Sequence, residues 1–334
     1  MSNKKLKLAD IAELAGVSKS TVSFVLNGHA QKHRITAETV EKVQRIVEQH
    51  NYAPSLYARA LKSNKTYTVG LVIPDLANMG FATTAKALEN LLREAGYQLL
   101  IASSNDDEEQ EKQAVEGLIN RQVDLLLVAS AMSSEDFYRE IKMTTPVIFF
   151  DRTFSNSQFI NVKSDAKSAT EQLVRRLVTG LDECVYIGGQ WLLSPSQERL
   201  TGYKAGLQAA NIPFDEKLVF SKDYQPQSGY LLMAQAVAQL GREPQAVFTA
   251  SYSLLEGVLR YLTEHQLLTS AIRIATFDNY DILDCLPIKI DSIEQQSDAI
   301  ALELFTHGTE LMKEPRIKAE TIAIPATVHF RREQ

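Results

Sequence analysis

Cysteine is scarce in this 334-residue sequence: only Cys184 and Cys285 occur, and they lie far apart. Neither belongs to a CxxC or similar metal-ligand spacing, so we expect two buried thiols in a reducing compartment. No apolar run approaches the roughly 20 residues that a membrane helix needs. The opening residues, MSNKKLKLAD, carry lysines without a following apolar segment. No secretory signal is therefore expected, and the chain is predicted to be cytoplasmic, with no membrane partner.

The sequence also lacks the common motifs of nucleotide-dependent enzymes and hydrolases. No GxGxxG follows a predicted strand, and neither a GxxxxGK[ST] phosphate loop nor a GxSxG elbow occurs. His29 and His33 are four residues apart, but they lie in a predicted loop with no accompanying carboxylate, so no metal site is expected there. We therefore expect no cofactor, no metal and no enzymatic activity.

Basic residues are concentrated at one end of the chain. Residues 1–65 hold eleven Lys and Arg against five Asp and Glu, whereas the remaining residues hold 24 basic and 36 acidic side chains. The length, with 45% hydrophobic and 23% charged residues, favours two or three soluble globular domains. A basic head on an acidic body indicates that the head contacts a polyanion, although a charge excess alone is also typical of a solvated face.

The head contains a pattern of two short helices joined by a tight turn. Residues 8–27 read LADIAELAGVSKSTVSFVLN, where apolar residues at helical spacing stop at Gly16 and then resume. Gly16 tolerates the positive φ of the turn, and Ser18 can cap the second helix so that its free amides face a phosphate. The second helix is expected to expose Lys19, Ser20, Thr21, Ser23 and Phe24. This polar set suits a major groove better than an ordinary helical hairpin.

A third helix and a short marginal helix follow. Residues 36–52 read TAETVEKVQRIVEQHNY, a helix with a valine and isoleucine stripe and an approximate cap at Thr36. Next, Pro54 suits the first turn of a helix whose small apolar face includes Ala58 and Leu61. A helix of about eight residues is marginal alone in water, so we expect a linker that needs a partner to become ordered.

The body is predicted to be an α/β fold. Short apolar runs such as TVGLVIP, DLLLVAS and PVIFFD alternate with amphipathic segments, which is typical of parallel sheets covered on both faces. One sheet accounts poorly for so many strands, so we expect two similar lobes with crossings near Val162 and Ser292. Ligands bind beyond the carboxyl ends of such strands. Polar residues fall at these ends: Asp75, Ser103 to Asp107, Ser130, Asp151 with Arg152, Gly188 to Trp191, Ser251 and Asp278.

These stretches resemble the LacI/GalR family of bacterial transcription regulators. Its members open with LxDIAxLAGVSxxTVSxVLN and continue to NYxPNxxARxL, where this chain has LADIAELAGVSKSTVSFVLN and NYAPSLYARAL. The resemblance covers the whole chain, and GHAQKHRI, GFATTAKALENLLREAGYQLLIASS and SLLEGVLRYLTEHQLL are most similar to its sucrose and fructose branch. It implies a helix-turn-helix domain over 1–53, a hinge helix and linker over 54–67, and a periplasmic-binding-protein-like effector domain over 68–334. Lobe one is then about 68–162 with 292–322, and lobe two about 163–291.

The resemblance implies a C₂ homodimer on a near-palindromic operator in double-stranded DNA, with a tetramer through another surface left open. Two hinge helices would pair in the minor groove, with Leu61 as the wedge and Ala58 at their crossing. Phe24 departs from the family, in which many members carry a base-reading arginine. The expected DNA contacts are Ser18, Lys19, Ser20, Thr21, Ser23, Phe24, Asn27, Arg34, Tyr52, Ala58 and Leu61.

The resemblance also implies a sugar pocket. Asp151 and Asp278 can accept paired hydroxyl hydrogen bonds, and Arg199 matches the family's sugar-contacting arginine. Phe81, Trp191 and Tyr252 could supply apolar faces, and Ser251 stands where some members have asparagine. The full expected set is Asp75, Phe81, Asp151, Arg152, Trp191, Arg199, Ser251, Tyr252 and Asp278.

The charge of the ligand stays open. Two arginines suit a phosphate, but either of them could pair with Asp151 or Asp278 instead. Fructose, fructose 1-phosphate and fructose 6-phosphate are therefore all candidates for the effector of a transcription regulator, most simply a repressor of sugar-utilisation genes. The alternatives are a two-lobed sugar receptor or enzyme with an accessory head, and a DNA-binding protein of the nucleoid without an effector.

Overall fold

The computed structural model describes residues 6–52, 65–141, 144–268, 271–314 and 318–332. The chain divides into two compact units, residues 1–66 and residues 67–334, which we call the head and the body. None of the helices in the described ranges combines the length and the apolarity that crossing a bilayer requires.

The head contains helices α1 (Leu8–Ala15), α2 (Lys19–Leu26) and α3 (Ala37–Gln49) around a small apolar core. Gly16 ends α1 with φ 61°, and Ser18 accepts a hydrogen bond from the Thr21 N–H at 3.1 Å. Thr36 caps α3 in the same way, at 3.4 Å from the Thr39 nitrogen. The predicted turn and both predicted caps are confirmed. The predicted hinge helix, with Ala58 and Leu61, lies outside the described residues.

The body alternates strands and helices in chain order. The first half contains β1 (Thr68–Ile73), α4 (Met79–Glu94), β2 (Gln98–Ser103), α5 (Glu108–Asn120), β3 (Leu125–Val128), α6 (Asp136–Ile141), β4 (Val147–Phe150), β5 (Ile160–Ser164), α7 (Ala166–Leu177), β6 (Val185–Gly188) and α8 (Ser194–Ala209). A 3₁₀ turn (Glu216–Leu218) precedes β7 (Val219–Ser221), α9 (Pro226–Leu240), β8 (Ala246–Thr249), α10 (Tyr252–Glu264), β9 (Arg273–Phe277), α11 (Ile282–Cys285), β10 (Ile290–Glu294), α12 (Ser297–Leu311), β11 (Thr321–Ile324) and β12 (Thr327–His329).

These strands form two six-stranded sheets, one in each lobe. Lobe one has the order β11-β5-β4-β3-β1-β2, and lobe two has β12-β10-β9-β8-β6-β7. Every pairing is parallel except that of β10 with β12. Strands β3, β4, β6 and β8 are buried along their whole length, as strands covered by helices on both faces must be. The predicted α/β body of two parallel-sheet lobes is confirmed.

The chain crosses between the lobes three times. It leaves lobe one after β5, returns after β10, and crosses again between β11 and β12. Val162 and Ser292, near which two crossings were predicted, lie inside β5 and β10, close to the ends of those strands. The third crossing was missed because β12 has only 3 residues, with none fully buried, and so leaves no hydrophobic signal.

Two helices of lobe two pack closely against each other at glycine residues. Helix α9 packs on α10 at Gly229 and Gly257, where a Cβ on Gly257 would lie 1.9 Å from the Pro226 carbonyl oxygen. A side chain of any size is therefore excluded at this contact.

The two cysteines differ in their surroundings. Cys184 is buried beside β6, whereas Cys285 is exposed at the end of the four-residue helix α11. The expectation of two buried thiols is thus wrong for Cys285, because so short a helix does not cover its last residue.

Candidate functional site

A cavity of about 260 Å³ lies between the two lobes, beyond the carboxyl ends of their parallel strands. The predicted residues that line it are Asp75, Phe81, Asp151 and Arg152 from lobe one, and Arg199, Ser251 and Asp278 from lobe two. Asp151 directly follows β4 and Asp278 directly follows β9. The strand-end pattern therefore located the cavity correctly.

Both of these aspartates adopt a left-handed backbone conformation, with φ 58° at Asp151 and 74° at Asp278. Such conformations are uncommon for residues other than glycine, and functional sites are enriched in them. The Asp278 carboxylate accepts hydrogen bonds from the Gln295 side-chain amide at 2.8 Å and from the Tyr252 N–H at 3.2 Å. Gln295 also accepts a bond from Ser164 at 2.8 Å. Asp278 is thereby tied to the two crossings at the ends of β5 and β10.

Arg199 on α8 projects a buried guanidinium into the cavity wall. Its side chain is only 6% exposed, Nη1 donates to the Ala250 carbonyl oxygen at 2.6 Å, and the guanidinium carbon lies 3.8 Å from the centroid of the Phe277 ring. Its Nε is buried without a hydrogen-bond partner.

Burial raises the pKa of Asp151, while the charges of Arg199 and Arg152 oppose that rise. The positive charge of Arg199 therefore limits the rise in the pKa of Asp151 without cancelling it.

Arg152 is engaged differently from what the sequence suggested. Its Nη1 lies 2.5 Å from a carboxylate oxygen of Asp106, so its partner is neither Asp151 nor Asp278. Asp106 belongs to the polar run after β2 that the sequence placed at a strand end, but its role was missed. Because this pair is already neutralised, Arg152 is less suited to grip a phosphate than an unpaired arginine.

Two predicted residues, Trp191 and Tyr252, do not line the cavity. Trp191 is 47% exposed in the loop before α8. Tyr252 begins α10, and its ring packs edge-on against Tyr280 with centroids 4.8 Å apart. The cavity wall is completed instead by residues at helix starts and in loops, namely Asn78, Asp106, Tyr224, Gln225, Glu256 and Gln295. No strand precedes most of these residues directly, so the strand-end pattern gave no signal for them.

Carboxylates outnumber guanidinium groups around the cavity. Asp75, Asp106, Asp151, Glu256 and Asp278 line it together with Arg152 and Arg199. Acceptors in excess of cations suit the hydroxyl groups of a sugar. Across the described ranges, no cluster of three or more His, Cys, Asp or Glu side chains has an arrangement that could hold a metal ion.

Nine of the predicted DNA-contacting residues lie among the described residues of the head. Ser18, Lys19, Ser20, Asn27 and Arg34 are exposed, and Thr21, Ser23, Phe24 and Tyr52 are half-buried. The Asn27 side-chain amide donates to the Ser23 carbonyl oxygen at 2.6 Å, so part of its hydrogen-bonding capacity already serves the end of α2.

Comparison with known proteins follows the same division into head and body. The family described as "Bacterial regulatory proteins, lacI family" matches residues 7–55, and the "Periplasmic binding protein domain" matches residues 69–282. The sucrose operon repressor of Klebsiella pneumoniae is 41% identical over 99% of both chains. The fructose operon regulatory protein of Vibrio cholerae is 39% identical over 89% of this chain and 91% of its own.

Solved structures agree with these relatives. The Cra transcriptional dual regulator of Pseudomonas putida, in complex with fructose 1-phosphate, is 32% identical and covers 80% of this chain and 99% of its own, with a TM-score of 0.75. The lac repressor dimer bound to operator shares the fold over 98% of both chains, with 21% identity and a TM-score of 0.85. These relatives are transcription regulators and not enzymes. The chain therefore belongs to the lacI family of bacterial regulatory proteins.

Proposed function

We propose that this regulator represses sugar-utilisation genes and that a fructose-like effector, bound between the lobes, sets its affinity for operator DNA. The observation that carries the proposal is the cavity between the lobes, where Arg199, Asp151 and Asp278 line one space. Fructose offers several hydroxyl groups to the carboxylates and an oxygen to Arg199. The ion pair of Arg152 with Asp106 favours the uncharged sugar.

Fructose 1-phosphate is the second candidate effector, because the similar Pseudomonas putida regulator was solved with it. A direct test first selects the operator from random duplex DNA with the full chain. Fructose, fructose 1-phosphate, fructose 6-phosphate and glucose are then titrated against the complex with fluorescently labelled operator. A change in operator affinity with fructose and none with glucose supports the proposal. If none of the four compounds changes the operator affinity, the proposal is refuted.

We also propose that the regulator acts in the cytoplasm as a C₂ homodimer on a near-palindromic operator. Two identical heads related by a two-fold axis match the symmetry of such a site. Light scattering of the full chain, with and without operator, measures the number of chains in each complex and would also detect a tetramer.

Operator affinity should fall steeply as salt is added. The eleven Lys and Arg of residues 1–65 against five Asp and Glu give the head a positive charge that replaces counterions on the phosphates. We expect the logarithm of the affinity to fall with the logarithm of salt concentration with a slope of about −5 or steeper. Sugar binding to the body serves as the control and should change little. A flat dependence for DNA would mean that the basic charge is merely solvated.

Leu61→Ala should weaken operator binding by roughly tenfold and nonspecific binding far less, because a wedge in the minor groove acts only where the duplex is kinked. Leu14→Ala, at a leucine that is 50% exposed on α1, is the control. Equal weakening on operator and random DNA would contradict the proposed hinge.

A further inference from the structure

A stacked aromatic pair joins the second helix of the head to the loop that follows it. The rings of Phe24 on α2 and His33 lie nearly parallel, with centroids 3.5 Å apart and an interplanar angle of 11°. Phe24 is half-buried and His33 is exposed, so the imidazole is the solvent-facing partner. Contacts between aromatic rings are geometrically specific, which fixes the orientation of the outer ring.

The loop that carries His33 is held by its own backbone. The His29 N–H donates to the Phe24 carbonyl oxygen at 2.8 Å, the His33 N–H to that of His29 at 3.2 Å, and the Ile35 N–H to that of Ala30 at 2.9 Å. Ala30 and Ile35 also pack against the apolar core of the head. The backbone position of His33 is therefore fixed by the hydrogen bonds and the packing of this loop.

The surface beneath His33 is the face of α2 that was predicted to meet DNA. Phe24 lies four residues from Ser20, and so shares one side of the helix with it. A phenyl ring has no hydrogen-bonding atom, whereas a neutral imidazole has one N–H donor and one nitrogen acceptor. Where the two rings stack, the hydrogen-bonding atoms are therefore the nitrogens of His33 in the loop, because the Phe24 ring of the helix has none.

We propose that His33 determines base preference in the major groove, and that Phe24 is a positioning residue which fixes the orientation of its ring. The proposal rests on the proposed operator binding. Each base pair displays a distinct set of donors and acceptors in the major groove, which one oriented imidazole edge can discriminate. Lys32 and Arg34, both exposed beside His33, suit contacts with phosphates, which carry no sequence information.

His33→Phe in the full chain tests the proposal, because it keeps a ring on Phe24 and removes both nitrogens. We expect affinity for the selected operator to fall by roughly tenfold and the preference for one base pair in each half-site to be lost. Phe24→Ala should relax preference at the same base pair, and the double variant should be no weaker than the weaker single variant. Base preference is measured by repeating the DNA selection with each variant.

Two controls separate this contact from general effects. His265→Phe alters a histidine that stacks on Tyr261 in the body, with centroids 4.1 Å apart, and should change neither affinity nor preference. Affinity for random DNA reports whether the head of each variant still folds, and Phe24→Tyr, which retains a ring, should keep the preference if Phe24→Ala unfolds the head.

Three results would overturn the inference: unchanged affinity of His33→Phe, a uniform loss on every sequence with all base preferences kept, or additive losses in the double variant. If the unaltered chain selects no DNA sequence at all, the proposed function itself fails. The two failures are therefore distinguishable.

Discussion

Replacing Arg199 with methionine is expected to abolish the effect of fructose on operator binding while leaving operator affinity without sugar nearly unchanged. The guanidinium, 6% exposed, belongs to a residue that lines the cavity, and methionine keeps an apolar stem against Phe277. An effector shifts operator affinity only by the difference between its affinities for the two forms of the protein. Such coupling is typically about 1–3 kcal/mol, or roughly five- to hundredfold, and the variant should show less than about twofold.

Arg260→Met is the matched control for this experiment. Arg260 also lies over a ring, with its guanidinium carbon 4.5 Å from the centroid of Tyr230, but it is exposed on α10 and does not line the cavity. Fructose should change the operator affinity of the Arg260→Met variant as much as it changes that of the unaltered chain. A full response in Arg199→Met would place the effector elsewhere. Loss of operator binding without sugar would show that Arg199 serves the fold.

Gly257→Ala is expected to destabilise the body by roughly 3 kcal/mol or more, because overpacking forces backbones apart. The added Cβ would lie 1.9 Å from the Pro226 carbonyl oxygen and 2.4 Å from the Tyr230 nitrogen, and backbone atoms cannot rotate away as a side chain can. Scanning calorimetry should show the unfolding midpoint of the body lowered by roughly 6–12 °C. Effector affinity should fall as well, because Gln225 and Pro226 at the start of α9 line the cavity.

The same substitution at Gly117 on α5 provides the comparison. Its nearest neighbour, the flexible end of Arg121, lies 3.6 Å from the added Cβ, so there is room for a methyl group. Because alanine favours a helix interior over glycine by about 1 kcal/mol, Gly117→Ala should leave the midpoint unchanged or raise it. Equal destabilisation of the two variants would show that the close approach of α9 and α10 is not the cause.

Features that depend on neighbouring residues in the chain could be predicted from the sequence. The turn at Gly16 and the cap at Ser18 are local, since both are set by residues within one helical turn. Asp151 and Asp278 were also predictable, because the end of a buried strand is visible as the point where an apolar run stops.

Contacts between distant segments could not be predicted. Arg152 meets Asp106 across 46 residues of sequence, and Gln295 meets Ser164 across 131, so no local spacing connects them. The stack of His33 on Phe24 was missed for a different reason: it depends on the exact path of a loop, which periodicity does not describe. Trp191 and Tyr252 were misplaced because residue type alone does not give the direction of a side chain.

The three crossings make the two lobes inseparable by any single cut. Lobe two takes its strands from two parts of the chain, β6 to β10 and then β12, with α12 and β11 of lobe one between them. A gene truncated after β10 would encode neither lobe complete, since lobe one would lack the edge strand β11 and lobe two would lack β12. The two lobes of the body should therefore fold only together, and a protease that nicks one loop should leave both lobes associated.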